Sequence, residues 1–134
     1  LELGAGLGLT TLALAARGFE VHATDASPVC LDLLCQSAVL NGLDRKVHGS
    51  VLRWGSDPGQ RYASIVGADV LYEDDNHEPL RSTLKAGLAA SGIVWLADPD
   101  REPSRRFLAG LPAELQHEER ALDGRIRLHA FRWR

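Results

Sequence analysis

The chain has 134 residues, of which 45% are hydrophobic and 25% are charged. This composition is typical of a soluble globular protein and argues against a disordered or fibrous chain. A net charge of -3 gives no overall attraction to nucleic acid or to an anionic membrane. No apolar run reaches the roughly 20 residues that span a bilayer. We therefore expect a cytoplasmic protein that binds neither nucleic acid nor membrane.

Strands and helices alternate through the first half of the chain. The periodicity predicts strands at 1–3, 20–24 and 47–52, with a helix in each interval. We expect the first helix to bury one apolar face (Leu9, Leu12, Ala13 and Ala16). We expect the same of the second helix (Cys30, Leu33, Leu34 and Ala38), which Ser27 and Pro28 start and Asn41-Gly42 ends.

The second half continues this alternation and then changes character. Strands are predicted at 62–72 and 92–98, with Leu80, Leu84 and Leu88 aligned on the helix between them. A short helix around 105–108 precedes two strands, near 114–120 and from 125 onward. The tight turn at 122–125 makes the last two strands an antiparallel hairpin. The pattern therefore predicts an α/β fold whose mostly parallel sheet ends in an antiparallel hairpin.

No linker, internal repeat or low-complexity tract divides the chain, so we expect one domain spanning 1–134. The chain starts in mid-pattern at Leu1 and contains no methionine. Because translation starts with methionine, we expect an N-terminal segment before the first core strand. Cys30 and Cys35 lie five residues apart, which fits neither a CxxC motif nor a metal pair. We expect free thiols and no metal site.

A glycine-rich turn joins the first strand to the first helix. Gly4, Gly6 and Gly8 stand at alternate positions, and such a turn lets a ligand approach the helix N-terminus. A dinucleotide fingerprint requires glycine at position 9, where this chain has Leu9, so NAD and FAD are disfavoured. The pattern G-x-G-x-G preceded by Glu2 is that of S-adenosylmethionine sites.

An acidic residue ends the second strand. Asp25 stands at its carboxyl end, where open α/β sheets bind ligands, and its carboxylate can accept both hydroxyls of a ribose. The alternative is a helix cap, but Ser27 already serves that purpose. We expect Asp25 and the adjacent Ala26 to contact the nucleoside of the cofactor.

Four stretches in this order resemble the seven-β-strand methyltransferases of methyltransferase family 16, which includes many protein-lysine methyltransferases. They are LELGAGLGLTTLALAARG, VHATDAS, LRW and ADVLYED. The resemblance implies a Rossmann-like, doubly wound, mostly parallel seven-stranded sheet. The stretch WLADPDR further resembles a bacterial branch near the lysine methyltransferases of the electron-transfer-flavoprotein β subunit. Members of that branch usually read D-P-G-R, whereas this chain has Asp100 in place of the glycine.

The resemblance also implies site residues. The residues expected around the methionyl part of S-adenosylmethionine are Glu2, Gly4, Gly6 and Gly8. Asp25 takes the ribose, Trp54 lies against the adenine, and the backbone of Ala68 lines the cofactor. Family members carry a segment before the first strand that helps to cover the cofactor and shape the substrate entrance.

The D-x-x-Y stretch, Asp69 to Tyr72, supplies the expected catalytic residues. Methyl transfer needs an amine lone pair held in line with the methyl group. Freeing a lysine amine of pKa near 10.4 at pH 7 costs about 4.6 kcal/mol. A nearby carboxylate raises that pKa, so we expect Asp69 to capture and orient the ammonium rather than to activate it. Tyr72 would form a wall of the acceptor channel.

Alternatives stay open for the function and for the charged residues. The acceptor is a protein lysine or a small amine, as in nicotinamide methyltransferase-like proteins. A cofactor-binding module without activity is a further hypothesis. The acidic run 73–75 is a solvated helix start, or a rim that attracts basic substrates. We interpret Arg101, Arg105, Arg106 and the arginines from 125 onward as solvent-facing, and the oligomeric state is not predicted.

Overall fold

The computed structural model describes residues 1–134. Its internal contacts group into two compact units, Leu1–Arg53 and Trp54–Arg134. The strands are those of a seven-stranded mixed sheet with helices between them. The predicted Rossmann-like α/β fold is therefore confirmed. None of the helices is long and apolar enough to cross a bilayer.

The first unit alternates parallel strands with helices. Its elements are β1 (Glu2–Leu3), α1 (Leu9–Ala16), β2 (Val21–Asp25), α2 (Pro28–Leu40) and β3 (Val47–Val51). The strand order is β3-β2-β1, and both pairs are parallel. Because parallel strands end at the same edge, the turn after β1 and the acid that ends β2 are neighbours.

The predicted helix faces are partly wrong in this unit. In α1 the buried residues are Thr11 and Ala15, whereas Leu9 is 85% exposed. In α2 Leu31 is buried beside Leu34 and Ala38, and Leu33 is 46% exposed. Among the other residues expected to be buried, Leu12 and Cys30 are intermediate, and Ala13 and Ala16 are exposed. Both helices carry apolar residues all round, so spacing alone does not define the buried face.

The ends of α2 match the sequence prediction. The Ser27 hydroxyl accepts the N–H of Cys30 at 3.3 Å, and Pro28 occupies the first helical position. The helix ends at Asn41-Gly42, where Gly42 has a φ of 66°. Both cysteines are free and half-buried.

The second unit combines a parallel pair with an antiparallel hairpin. Its elements are β4 (Tyr62–Ala68), α3 (His77–Gly87), β5 (Leu88–Asp98), α4 (Glu102–Ala109), β6 (Leu115–Asp123) and β7 (Ile126–Trp133). The order is β4-β5-β7-β6; β4 and β5 are parallel, and β7 is antiparallel to both neighbours. The predicted hairpin is confirmed, with Gly124 in its turn.

Three boundaries in the second unit differ from expectation. Leu88 belongs to β5 and pairs with Tyr62, because α3 ends at Gly87. The strand expected at 62–72 ends at Ala68, since Asp69 adopts a left-handed φ of 55° that breaks the extended backbone. The short helix around 105–108 begins earlier, at Glu102.

Candidate active site

The glycine turn has a left-handed backbone at each of its three glycines. The φ angles are 65° at Gly4, 53° at Gly6 and 87° at Gly8. Side chains are strained in this region, which explains why glycine recurs. At Gly8 a Cβ would lie 2.4 Å from Cγ of Leu34, so glycine is also needed there to pack the turn against α2.

The middle of the turn is open. A Cβ built on Gly6 meets no atom within 4 Å. The N–H of Gly6 donates to Oδ2 of Asp25 at 2.9 Å. The turn is therefore tied to the end of β2 and still leaves room beside its backbone, as a bound ligand requires.

The carboxylate of Asp25 is held by backbone groups. Oδ2 accepts from Gly6, and Oδ1 accepts the N–H of Ser27 at 2.8 Å. Each carboxylate oxygen can accept a further hydrogen bond, and Asp25 is only partly buried. Ala26, the next residue, is exposed. Asp25 is therefore fixed in place and has acceptor capacity left for a diol.

The N-terminus of α1 lies directly after the turn. Its N-cap residue is Gly8, which offers no side chain to the first N–H groups of the helix. Such groups bind polar or anionic atoms of ligands. The turn, Asp25 and this helix end lie together within the first unit, and their role as one side of a nucleoside site stays a prediction.

Glu2 points into the protein and contacts α1. It is 2% exposed, and its Oε2 accepts a hydrogen bond from the Thr11 hydroxyl. Burial raises the pKa of this carboxyl group above its usual value. The contact joins β1 to α1 behind the glycine turn. The expected place of Glu2 around the methionyl group of the cofactor stays a prediction.

Trp54 starts the second unit in a turn held by α3. The N–H of Gly55 donates to the Thr83 hydroxyl at 2.8 Å, and this hydroxyl donates to the Ser56 carbonyl at 3.0 Å. Trp54 itself is half-buried. Its indole therefore keeps exposed area, and its expected contact with adenine stays a prediction.

The expected acceptor residues lie in the loop after β4. Ala68 ends the strand and is exposed, and the Asp69 N–H donates to the Ala97 carbonyl at 2.8 Å. Val70 and Leu71 are buried, 3% and 0% exposed, and they anchor the loop. Tyr72 is 49% exposed. The structure thus presents Asp69 and Tyr72 on either side of a buried anchor.

One contact in this loop was missed by the sequence analysis. Nη2 of Arg101 donates to Oδ2 of Asp69 at 2.7 Å, across 32 residues. Arg101 follows β5, the parallel neighbour of β4. The two carboxyl ends meet at one edge of the sheet, and this adjacency could have suggested the pairing.

A second pair neutralises part of the acidic run. Arg106 donates from Nε and Nη2 to the two carboxylate oxygens of Asp74, at 3.0 and 2.8 Å. These hydrogen bonds lower the pKa of Asp74. The pairing reduces the negative charge that a rim at 73–75 could offer to a basic substrate.

Asp100 stands where the resemblance implies a glycine, and its backbone is left-handed. Its φ is 58°, a left-handed conformation that glycine adopts without strain. Arg105 binds its two carboxylate oxygens at 3.0 and 3.1 Å, which lowers the pKa of Asp100. A side-chain contact that glycine cannot make therefore accompanies the strained backbone.

A cavity of about 390 Å³ lies elsewhere in the second unit. Side chains of α3, α4, β7 and the segment after α4 line it, among them Phe107, Leu111, Phe131 and Trp133. None of the expected site residues contributes to its walls. Among the expected site residues, Gly4 follows β1, Asp25 ends β2 and Ala68 ends β4.

The sequence profile of the family described as lysine methyltransferase matches residues 1–113. The chain belongs to this family. Protein N-lysine methyltransferase METTL21A of Danio rerio is 31% identical over 140 residues, which cover 98% of this chain and 64% of that protein. EEF1A lysine methyltransferase 3 of Mus musculus is 31% identical over 106 residues, which cover 75% of this chain and 45% of the relative.

The fold is shared with solved methyltransferase structures. The complex of DhpI with SAH has a TM-score of 0.76 and 17% identity, covering 98% of this chain and 74% of that one. This chain spans less than two thirds of the curated relatives that it matches. Membership of the lysine methyltransferase family makes S-adenosylmethionine its cofactor.

The residues present fit this cofactor. The open space beside Gly6 would admit the side of the cofactor that faces the backbone of the turn. Asp25 has free acceptor positions for the hydroxyls of a ribose. A ribose diol can donate both of its hydroxyls to the carboxylate oxygens of Asp25. The free acceptor capacity of Asp25 therefore agrees with a nucleoside cofactor.

Proposed function

We propose that the chain is the catalytic part of an N-methyltransferase that methylates the side chain of a protein lysine. Binding of the cofactor is supported by the Asp25 carboxylate, which two backbone N–H groups hold beside the open turn at Gly6. The choice of lysine as the acceptor is supported by family membership and by the curated relatives, whose names specify lysine.

Each of the proposed cofactor-binding residues has its own role. Asp25 accepts the ribose hydroxyls, and Gly4, Gly6 and Gly8 keep the turn free of side chains. Glu2, which accepts a hydrogen bond from Thr11 of α1, lies next to the methionyl part of the cofactor. Ala26 lies beside the adenosine, and the contacts expected of Trp54 and Ala68 with the cofactor stay predictions. S-adenosylmethionine supplies a methyl group on a sulfonium centre, which is electrophilic enough for direct transfer to an amine.

Asp69 and Tyr72 serve the acceptor. Asp69 binds the ammonium group of the incoming lysine and orients it, and Tyr72 forms a wall of the channel. The amine must lose its proton before attack, and at pH 7 this costs about 4.6 kcal/mol for an ordinary lysine. Desolvation in the closed complex lowers that cost, and the proton leaves to water.

The cellular setting follows from the same reasoning. We infer a cytoplasmic enzyme whose partner is its protein substrate, with no role for nucleic acid or membrane. The net charge of -3 is compatible with attraction to a basic segment of that substrate.

Label transfer tests the function. The full-length protein is incubated with labelled S-adenosylmethionine and a lysate from cells that lack its gene. We expect label on lysine residues of one or a few proteins, identified by mass spectrometry. Asp25→Ala and Asp69→Asn should lose it, whereas Asp32→Asn, on the exposed side of α2, should keep it. Label only in small molecules would favour the amine methyltransferase alternative.

A further inference from the structure

The carboxylate proposed to bind the acceptor already holds a cation. Arg101 and Asp69 form an ion pair at 2.7 Å, and their side chains are 44% and 51% exposed. Only Nη2 of Arg101 and Oδ2 of Asp69 take part. By contrast, two guanidinium nitrogens of Arg106 donate to the two carboxylate oxygens of Asp74. The Arg101 pair is therefore the looser of the two.

The backbone on each side of this pair is fixed. The Asp69 N–H is bonded to the Ala97 carbonyl. At Arg101 the N–H donates to Asp98 at 3.3 Å, and the carbonyl accepts from the Ser104 hydroxyl at 2.6 Å. The Arg101 side chain can therefore leave Asp69 without any change in the main chain.

Breaking the pair requires little free energy. Exposed ion pairs contribute on the order of 1 kcal/mol or less, because water and salt screen both charges. A substrate ammonium that approaches Asp69 would replace one cation by another on the same carboxylate. A neutral nitrogen would leave the carboxylate uncompensated once the guanidinium moved away.

We propose that Arg101 occupies the acceptor position on Asp69 and that the acceptor ammonium displaces it. Arg101 is thus a specificity-determining residue: it selects cationic amines over neutral nitrogen compounds such as a pyridine ring. This inference rests on the proposed function of Asp69 as the ammonium-binding group. The acceptor is then a primary ammonium group that can compete with a guanidinium for Asp69.

Binding of n-butylammonium chloride, a lysine side-chain mimic, tests the exchange. The full chain, labelled with carbon-13 at aspartate carboxyl groups and saturated with S-adenosylhomocysteine, is titrated while the Asp69 resonance is followed. Arg101→Gln should bind n-butylammonium about two- to fivefold tighter than the wild type, the factor expected from removing an exposed competitor. Arg101→Lys keeps the charge and should bind as the wild type does.

Two controls make the result specific. Arg106→Gln removes the same charge five residues away and frees Asp74, so it should tighten n-butylammonium binding clearly less than Arg101→Gln does. n-Butanol should not shift the Asp69 resonance, and sodium chloride at matched ionic strength should shift it less than n-butylammonium chloride does. Equal tightening by Arg101→Gln and Arg106→Gln would overturn the proposal, because it would reveal a general charge effect. No tightening in Arg101→Gln, or no binding in any variant, would overturn it as well.

The proposed function is measured separately by label transfer to lysine. Label transfer that is present while Arg101→Gln leaves n-butylammonium affinity unchanged would refute the role of Arg101 and keep the methyltransferase. Tighter binding in Arg101→Gln without any label transfer would keep the exchange at Asp69 and refute lysine methylation.

Discussion

Two carboxylates, Asp25 and Asp69, stand at strand ends in different units and are held in different ways. Asp25 is bound by the N–H groups of Gly6 and Ser27, both parts of the main chain. Asp69 is paired with the side chain of Arg101, which is half exposed. A carboxylate held by backbone N–H groups suits a ligand that is always the same. A carboxylate paired with a side chain can release that side chain and bind an incoming group instead. The first arrangement fits a cofactor and the second fits a variable acceptor.

Disturbing the frame around Asp25 should have the largest effect. Gly8→Ala places a methyl group 2.4 Å from Cγ of Leu34, at a φ of 87°. We expect a loss of about 2 to 5 kcal/mol in unfolding free energy, from backbone strain and overpacking together. Urea denaturation measures it. Gly18→Ala is the matched control, because its φ is 96° but its Cβ would meet nothing within 4 Å. Equal losses in both variants would contradict the packing role of Gly8.

Removing each carboxylate separates the two roles directly. Asp25→Ala should weaken S-adenosylhomocysteine binding about 10- to 100-fold, the range for hydrogen bonds to a charged group. Asp69→Ala should change the same affinity by about twofold or less, within the range of a surface substitution away from the ligand. Calorimetry measures both, after thermal unfolding has shown that each variant folds. Similar affinities for the two variants would remove the distinction between cofactor and acceptor carboxylates.

Glu2 provides a pH test of the glycine turn. Burial raises the pKa of Glu2 above its ordinary 4.5, so the folded state keeps a proton that the unfolded chain has already lost. The contribution of Glu2 to stability therefore falls as pH rises from 4.5 to above the folded-state pKa. Glu2→Gln, which can still accept from Thr11, should remove this decline. Urea denaturation across that pH range measures it, and parallel curves for both proteins would refute the assignment to Glu2.

The exposed pair should affect stability least. Arg101→Gln should change the unfolding free energy by about 0.5 kcal/mol or less, because the pair is open to water. Arg81 makes a useful contrast, since it donates to the Phe107 carbonyl at 2.8 Å and lies 4.7 Å from the centre of the Phe107 ring. Arg81→Gln should cost about 1 to 2 kcal/mol. A larger loss for Arg101→Gln than for Arg81→Gln would mean that Arg101 supports the fold.

Local sequence signals predicted the ends of α2 better than its buried face. Ser27-Pro28 and Asn41-Gly42 define α2 through backbone preferences that need no partner. The buried side of α2 depends on which residues β2 and β3 meet, and there Leu31 replaces Leu33. Likewise, Leu88 fits the spacing of α3 but pairs with Tyr62 of the neighbouring strand, a partner that is distant in the sequence.

The sequence by itself determined the alternation of strands and helices, the glycine turn and the acid that ends β2, because each depends on neighbours a few residues away. The tertiary structure decided the buried helix faces, the left-handed Asp69 and its pairing with Arg101. These features join residues that are distant in the chain, and only the packing of parallel strands and helices brings their side chains within hydrogen-bonding distance.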